Sequence, residues 1–373
     1  MSSLAKLIQW RRELHQYPEI SGQEYQTSER IKKWLTQANI KIADYSLETG
    51  VIAEIGQGDK IVALRADIDA LAIEEKTNLP FSSVNKGLMH ACGHDIHIAV
   101  MLGAAISLKH KESELNGKVR IIFQPAEESF EGAKAIIKSG ALKDVSAIFG
   151  MHNEPELPVG TFATKNGPFY ASVDRILIKI TGKGAHAARP QEGIDPIVIS
   201  AQLINQFQSI ITRQINTNET AVLSITRISG GNTWNVIPEE VELEGTLRTH
   251  NEKIRQTIKE ALKLACKGME LTSRASVDLK FIKGPNTLIN DTFWANSTIE
   301  IAHESGYEVV QASKHLGGED FAAYLEAIPG AFVSIGSQSE FGLHHPKFNP
   351  DESCIEAAAN YFKNLALHAL AIA

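Results

Sequence analysis

The sequence predicts an α/β fold in which one domain with a mixed sheet flanked by helices is interrupted by a second, inserted α+β domain. Three observations predict it: a βα rhythm over the first 170 or so residues, a change to long alternating strands from about Val173, and a return of the βα rhythm after Gly284-Pro285. A chain of 373 residues is also too long for one ordinary core, so two domains are expected.

In the first part, Ile61-Val62-Ala63-Leu64 and Val119-Arg120-Ile121-Ile122-Phe123 are near-continuous apolar runs of the buried-strand type, and Ala147-Ile148-Phe149-Gly150-Met151 is a third. Ile98 to Leu108 reads as an apolar helix. Beyond Val173 the strands look half exposed: Ile176, Ile178 and Ile180 share one face, Val222, Ile225 and Ile228 mark a less regular strand, and Val241, Leu243, Gly245 and Leu247 alternate with Glu242, Glu244 and Arg248. A helix capped by Asp195, with Pro196 in its first turn, carries Ile197, Ala201, Ile204, Phe207 and Ile211 on one face. A second carries Ile254, Ile258, Leu262 and Ala265 and stops before Gly268. With the strand Ala275, Val277, Leu279, Phe281, the order is β-α-β-β-α-β, that of a ferredoxin-like insert over 174–285. The outer domain then comprises 1–173 and 286–373, closing with a helix around Trp294 to Ser305, the strand Phe332 to Ile335 and an Ala-rich helix from about Cys354.

Hydrophobic residues at 43% and charged residues at 22% match a soluble globular chain rather than a disordered one. Thirty-seven Lys and Arg against 44 Asp and Glu leave a net charge of −7 with no dense basic cluster, which excludes a nucleic-acid partner. The segment Met1 to Arg12 meets charge before an apolar leader core forms, and no run approaches the ~18 apolar residues of a membrane span, so no membrane association and a cytoplasmic location are expected. Cys92, Cys266 and Cys354 are odd in number and widely spaced, against a disulfide framework.

Four polar clusters adjoin apolar segments. Met89-His90-Ala91-Cys92-Gly93-His94-Asp95-Ile96-His97 precedes the apolar helix, and a thiolate and an imidazole separated by a flexible glycine suit a divalent ion; a core cysteine beside a capping histidine is the bland alternative. In Gln124-Pro125-Ala126-Glu127-Glu128, adjacent carboxylates at a strand end diverge, so one can bind a metal while the other handles a proton; a solvated acidic loop is the alternative. His152 and His344-His345-Pro346 repeat the placement at strand ends, where ligands of open α/β sheets collect. Together Cys92, His94, Glu128, His152 and His344 or His345 suffice for two divalent ions bridged through the thiolate.

These clusters, with Leu14-His15-Gln16-Tyr17-Pro18-Glu19, Leu64-Arg65-Ala66-Asp67-Ile68-Asp69-Ala70-Leu71, Gly182-Lys183-Gly184-Ala185-His186-Ala187-Ala188, Asn235-Val236-Ile237-Pro238 and Gly318-Glu319-Asp320-Phe321, resemble the aminoacylase and carboxypeptidase metallopeptidase family. The closest likeness is to its branch of N-acyl-amino-acid amidohydrolases, hippurate hydrolases and auxin-conjugate hydrolases, in order along nearly the whole chain. The resemblance implies a binuclear amidohydrolase acting on N-acyl amino acids, with two divalent ions among Zn, Mn, Co and Ni. It implies that Cys92 bridges the ions, Glu128 and His344 complete one site, and His94 and His152 the other; His344 is preferred because the family's ligand directly follows the Leu343 position. Glu127 is then the general base. Where Arg65 stands, other branches have a histidine ligand; His94 replaces it, and Asp67 becomes a carboxylate that orients an imidazole, with His97 either supporting a ligand from behind or structural rather than a sixth ligand. In the insert, His186 is implied to polarise the scissile carbonyl, and Asn235 and Arg248 to hold the substrate carboxylate, partly across a homodimer interface, with a tetramer as a further state. The insert is thus expected to be a lid and dimerisation domain. A dipeptidase or carboxypeptidase with the same site, a non-catalytic metal- or peptide-binding homologue, and a cysteine hydrolase built on Cys92 are the rivals.

Overall fold

The computed structural model describes residues 3–372. Met1, Ser2 and Ala373, and with them the outermost ends of the expected outer domain and the start of the amino-terminal segment, lie outside the described residues. The chain divides into two compact units, one of Met1–Phe169, Ile289–Ser313 and Asp320–Ala373, the other of Tyr170–Leu288 and Lys314–Glu319.

The first unit is built on an eight-stranded mixed sheet. Its four central strands, Lys118–Gln124, Ile61–Asp67, Val145–Glu154 and Gly330–Gly336, are mutually parallel neighbours in that order. Ile61–Asp67 and Gly330–Gly336 are buried along their whole length, as near-continuous apolar strands in a helix-covered sheet must be. Lys41–Ala43 and Val51–Gly56 extend one side in antiparallel fashion, and Thr161–Thr164 and Glu308–Gln311 the other. These outer strands escape the sequence pattern because they are short and partly polar.

The apolar helix runs over His94–His110, four residues earlier than its apolar stretch suggests. Gly93, at φ 85°, turns the chain into it, and His94, Asp95 and His97 form a buried polar first turn. Nearly every face of this helix is covered: it packs on Cys354–Ile372, on Ser3–Gln16 and on the strand Ile61–Asp67.

The second unit is a four-stranded antiparallel sheet in the order Ala221–Gly230, Glu240–Thr249, Ser172–Thr181, Ser276–Lys283. Ile176, Ile178, Ile180, Val241 and Leu243 meet the helices Pro196–Gln214 and Glu252–Ser273 on one face. The opposite face is ion-paired, with Arg175 2.6 Å from Glu244 and Lys179 2.7 Å from Glu240. Asp195 caps the first helix by accepting from Ile197 and Val198 N–H. Its buried face is Ile199, Leu203, Phe207 and Ile210, whereas Ile197 and Ala201, expected inside, are exposed; two apolar stripes overlap on this helix and only one meets the sheet. The second helix does not stop before Gly268 but continues to Ser273, where Arg274 at φ 63° supplies the left-handed cap. Nothing crowds Gly268, so the glycine is simply tolerated within the helix. The irregular strand is irregular because a bulge falls between Ile225 and Arg227. Among the described residues, no helix is long and apolar enough to cross a membrane.

Candidate metal centre

Parallel strands end on the same edge of a sheet, and four polar segments follow from that. Asp67 lies opposite Gln124 and His152 opposite Ser334, so Asp67–Asp69, Pro125–Glu128, His152 and the turn that carries His344 emerge together. Backbone bonds tie the remaining pieces in. His344 N–H donates to the Ala91 carbonyl at 2.8 Å, and His94 Nδ1 donates to the Asp69 carbonyl at 2.9 Å. Ala126 and His344 both sit in the left-handed region, at φ 56° and 62°, a conformation that non-glycine residues hold only where the surroundings impose it.

Cys92 Sγ stands between two imidazoles, 3.3 Å from His152 Nε2 and 3.4 Å from His344 Nε2. It belongs to two donor groups, Cys92–His94–His152 and Cys92–Glu128–His344, each with its ligand atoms within 4.8 Å of one another. Glu127 joins His94 and Glu128 in a further such group. His152 Nδ1 donates to the Asn153 carbonyl at 2.7 Å, which leaves the Nε2 lone pair facing Cys92, and His94 Nε2 is buried without a hydrogen-bond partner. Glu128 Oε1 is likewise buried and unpartnered, with His344 Nε2 3.5 Å away. Orphaned buried donors and acceptors are costly, and soft thiolate, imidazole and carboxylate atoms converging on one point are the donor set of Zn²⁺ and related ions. His345 turns the other way, stacked on Phe341 at 4.5 Å and accepting from Lys347 N–H.

The charge balance of the cluster also calls for a cation. Burial first, then the Glu128, Glu127 and Asp67 carboxylates, push the Cys92 thiol well above its usual range. Such a thiol is a poor free nucleophile, which counts against a cysteine hydrolase. Burial opposes charge on His94, yet Asp67 and Asp69 outweigh it and hold the imidazole up to about 10.

Asp67, His94 and His97 form another close group, but its members are already committed. His97 Nδ1 donates to Asp67 Oδ1 at 2.5 Å, and its Nε2 accepts from Asn153 N–H at 2.9 Å, so no lone pair remains for a metal. The imidazole that Asp67 orients is therefore His97, while His94 is oriented by Asp69. Arg65, fully buried, donates to Asp67 at 2.7 Å, Gln124 at 2.8 Å and Asp320 at 2.9 Å, a fixed cation beside the cluster.

Sequence reasoning missed Asn153 and the closeness of Gly93. A Cβ on Gly93 would lie 2.4 Å from Asn153 Nδ2, at a backbone φ that already disfavours other residues. Gly93→Ala is expected to lower stability by about 2–4 kcal/mol, combining overpacking with backbone strain, and to reduce metal content. Chemical denaturation and elemental analysis check both.

In the second unit, the ladder Val236–Ile237 against Ala185–His186 puts His186 beside Asn235, whose carbonyl accepts from Ala187 N–H at 3.0 Å. His186 is exposed, and its Nδ1 accepts from Ala188 N–H at 3.1 Å, which leaves Nε2 as the ring's donor nitrogen. Arg248 sits on another strand, half-buried, with Nη1 donating to the Leu316 carbonyl at 2.7 Å. Among the described residues, no carboxylate pairs with it.

A mixed α/β sheet that gathers thiolate, imidazole and carboxylate donors at its carboxyl edge, with one further glutamate beside them, has the constitution of a metallohydrolase. Residues 63–368 match the family described as peptidase family M20/M25/M40, and the chain belongs to it. It is 47% identical over 365 residues to an N-acetylcysteine deacetylase of Bacillus subtilis, covering 97% of this chain and 96% of that protein. It is 37% identical over 364 residues to thermostable carboxypeptidase 1 of Saccharolobus solfataricus, covering 95% and 92%. Among solved structures, a dinuclear metal-binding M20 peptidase of Bacillus subtilis superposes with a TM-score of 0.89 at 44% identity, covering 100% of this chain and 99% of that one.

Proposed function

We propose that this chain is a metal-dependent amidohydrolase that cleaves N-acyl amino acids to a carboxylic acid and a free amino acid. The observation that carries this is Cys92, shared by two donor groups with Glu127 alongside. Cys92, Glu128 and His344 hold one ion; Cys92, His94 and His152 hold the other. Bound divalent ions, Zn, Mn, Co or Ni, supply Lewis acidity and lower the pKa of water from ~15.7 towards ~7. Glu127 takes a proton from the attacking water and later returns it to the leaving amine. His186, with its proton on Nε2, donates to the carbonyl oxygen as negative charge develops there. Asn235 and Arg248 hold the substrate carboxylate, and the lack of a carboxylate partner for Arg248 among the described residues supports that use.

The second unit is a ferredoxin-like lid that also pairs two subunits. Its edge strand is exposed from Thr226 to Gly230, and Trp234 is 91% exposed, features that suit a homodimer interface, with a tetramer as a further state. The enzyme works on small soluble substrates in the cytoplasm. Its likeness to a carboxypeptidase favours one second reading, peptide hydrolysis with the same centre.

Two ions per chain are expected in fully active protein, because five donors including a shared thiolate exceed one tetrahedral site. Elemental analysis and exhaustive chelation check this: full activity without stoichiometric metal overturns it. Assays of N-acetyl and N-benzoyl amino acids against dipeptides, on metal-reconstituted enzyme, separate the two substrate readings.

A further inference from the structure

Asn153 is fully buried and carries no ionisable group, yet it touches three segments that bear donor atoms. Its Nδ2 donates to the Cys92 carbonyl at 2.7 Å and lies 3.0 Å from His97 Nε2, which also accepts the Asn153 backbone N–H at 2.9 Å. Its own carbonyl takes the His152 Nδ1 proton at 2.7 Å, and its Oδ1 accepts from Ser337 Oγ at 3.2 Å. With a hydroxyl on one side and a carbonyl on the other, only one orientation of the amide satisfies both.

We propose that Asn153 is a positioning residue for the metal centre, its amide and backbone fixing the Cys92 peptide and the His152 ring in the relation that two ions require. This rests on the dinuclear centre proposed above. The bond to the Cys92 carbonyl fixes the peptide from which the thiol projects. The bond from His152 Nδ1 fixes the tautomer and turns Nε2 towards Cys92 Sγ. Occupying His97 Nε2 leaves that ring its Nδ1 proton for Asp67, so the polar first turn that carries His94 is held through the same residue. A substitution that merely unpacks the core would loosen the protein; losing this amide should also misplace the donors relative to one another.

Asn153→Asp keeps the shape but sets a carboxylate oxygen against the Cys92 carbonyl and His97 Nε2. Asn290→Asp is the control: another buried amide, donating to the Lys165 and Phe332 carbonyls at 3.0 and 2.9 Å and accepting from Phe332 N–H at 2.8 Å, with no donor residue among these partners. On the full chain one measures the unfolding midpoint of the metal-free form, cobalt affinity by chelator competition, and the cobalt–thiolate charge-transfer absorption. Both variants should lower the midpoint. Only Asn153→Asp should weaken cobalt binding, by about 10- to 100-fold, and alter the absorption, with Ser337→Ala moving both in the same direction by a smaller factor. Cobalt bound by Asn153→Asp within about twofold of wild type, with unchanged absorption, overturns the proposal. If Asn153→Asp does not fold, Ser337→Ala decides in its place: the weaker binding and altered absorption expected of it support the proposal, and wild-type affinity with an unchanged spectrum overturns it. Wild-type protein binding fewer than two ions overturns the dinuclear reading instead, and this inference with it.

Discussion

Glu127→Gln is expected to leave folding and metal content nearly intact while lowering kcat by at least ~10²-fold, the usual scale for loss of a general base. The substitution is isosteric at a buried position, and an amide oxygen can still accept the Asp320 N–H that lies 3.4 Å from Glu127 Oε1. What the amide cannot do is take a proton from water. The neighbouring Glu128→Gln should behave oppositely: Glu128 Oε1 is buried without a hydrogen-bond partner close to His344 Nε2, so removing its charge removes a ligand and the ion with it. Activity and metal content measured on both variants test the assignment. Metal lost from Glu127→Gln and retained by a catalytically crippled Glu128→Gln means the two roles are exchanged.

The second large effect concerns His186. If the chain pairs as proposed and His186 serves the other subunit's centre, His186→Ala and Glu127→Gln homodimers are each expected to be nearly inactive, whereas mixing them with subunit exchange should restore up to about a quarter to a half of wild-type activity, because each heterodimer then owns one site with both residues intact. The expectation follows from the role that the family resemblance implies for His186, which lies on a short exposed ladder in the second unit while Cys92, His94, Glu128, His152 and His344 lie in the first. Proven heterodimers without recovery mean that His186 acts within its own chain or is structural.

Much of the first unit can be read from the chain alone, because parallel strands covered on both faces must be apolar throughout and their polar followers stand out: Asp67 after Ile61–Ala66, Glu127 and Glu128 after Val119–Phe123, His152 after Ala147–Met151. What cannot be read depends on register. Asn153 matters because Gly330–Gly336 pairs with Val145–Glu154 so that Ser337 arrives beside it, and no spacing within Met151-His152-Asn153-Glu154-Pro155 announces that. His97 likewise has ligand-like spacing from His94, and only the bonds to Asp67 and Asn153 show that both its nitrogens are used. The end of the helix Glu252–Ser273 was hidden for a different reason: glycine permits a stop without requiring one, and Arg274 adopts the terminating conformation instead.

The placement of Gly330–Gly336 between Val145–Glu154 and Thr161–Thr164 has a consequence for how the centre comes into being. The inner strand is the last of the sheet's strands to be made, so the pair Thr161–Thr164 and Glu308–Gln311 has no edge of the central strands to join until residues 334 and 335 are present. His344 lies beyond it. Closure of the sheet and arrival of the last donor are thus nearly simultaneous in synthesis, and the loop that must close to pair residue 148 with residue 330 spans the entire second unit. If the centre is the dinuclear one proposed, a nascent chain has no complete pair of ion sites to fill, and capture of both ions would mark the molecule whose long-range pairing is finished.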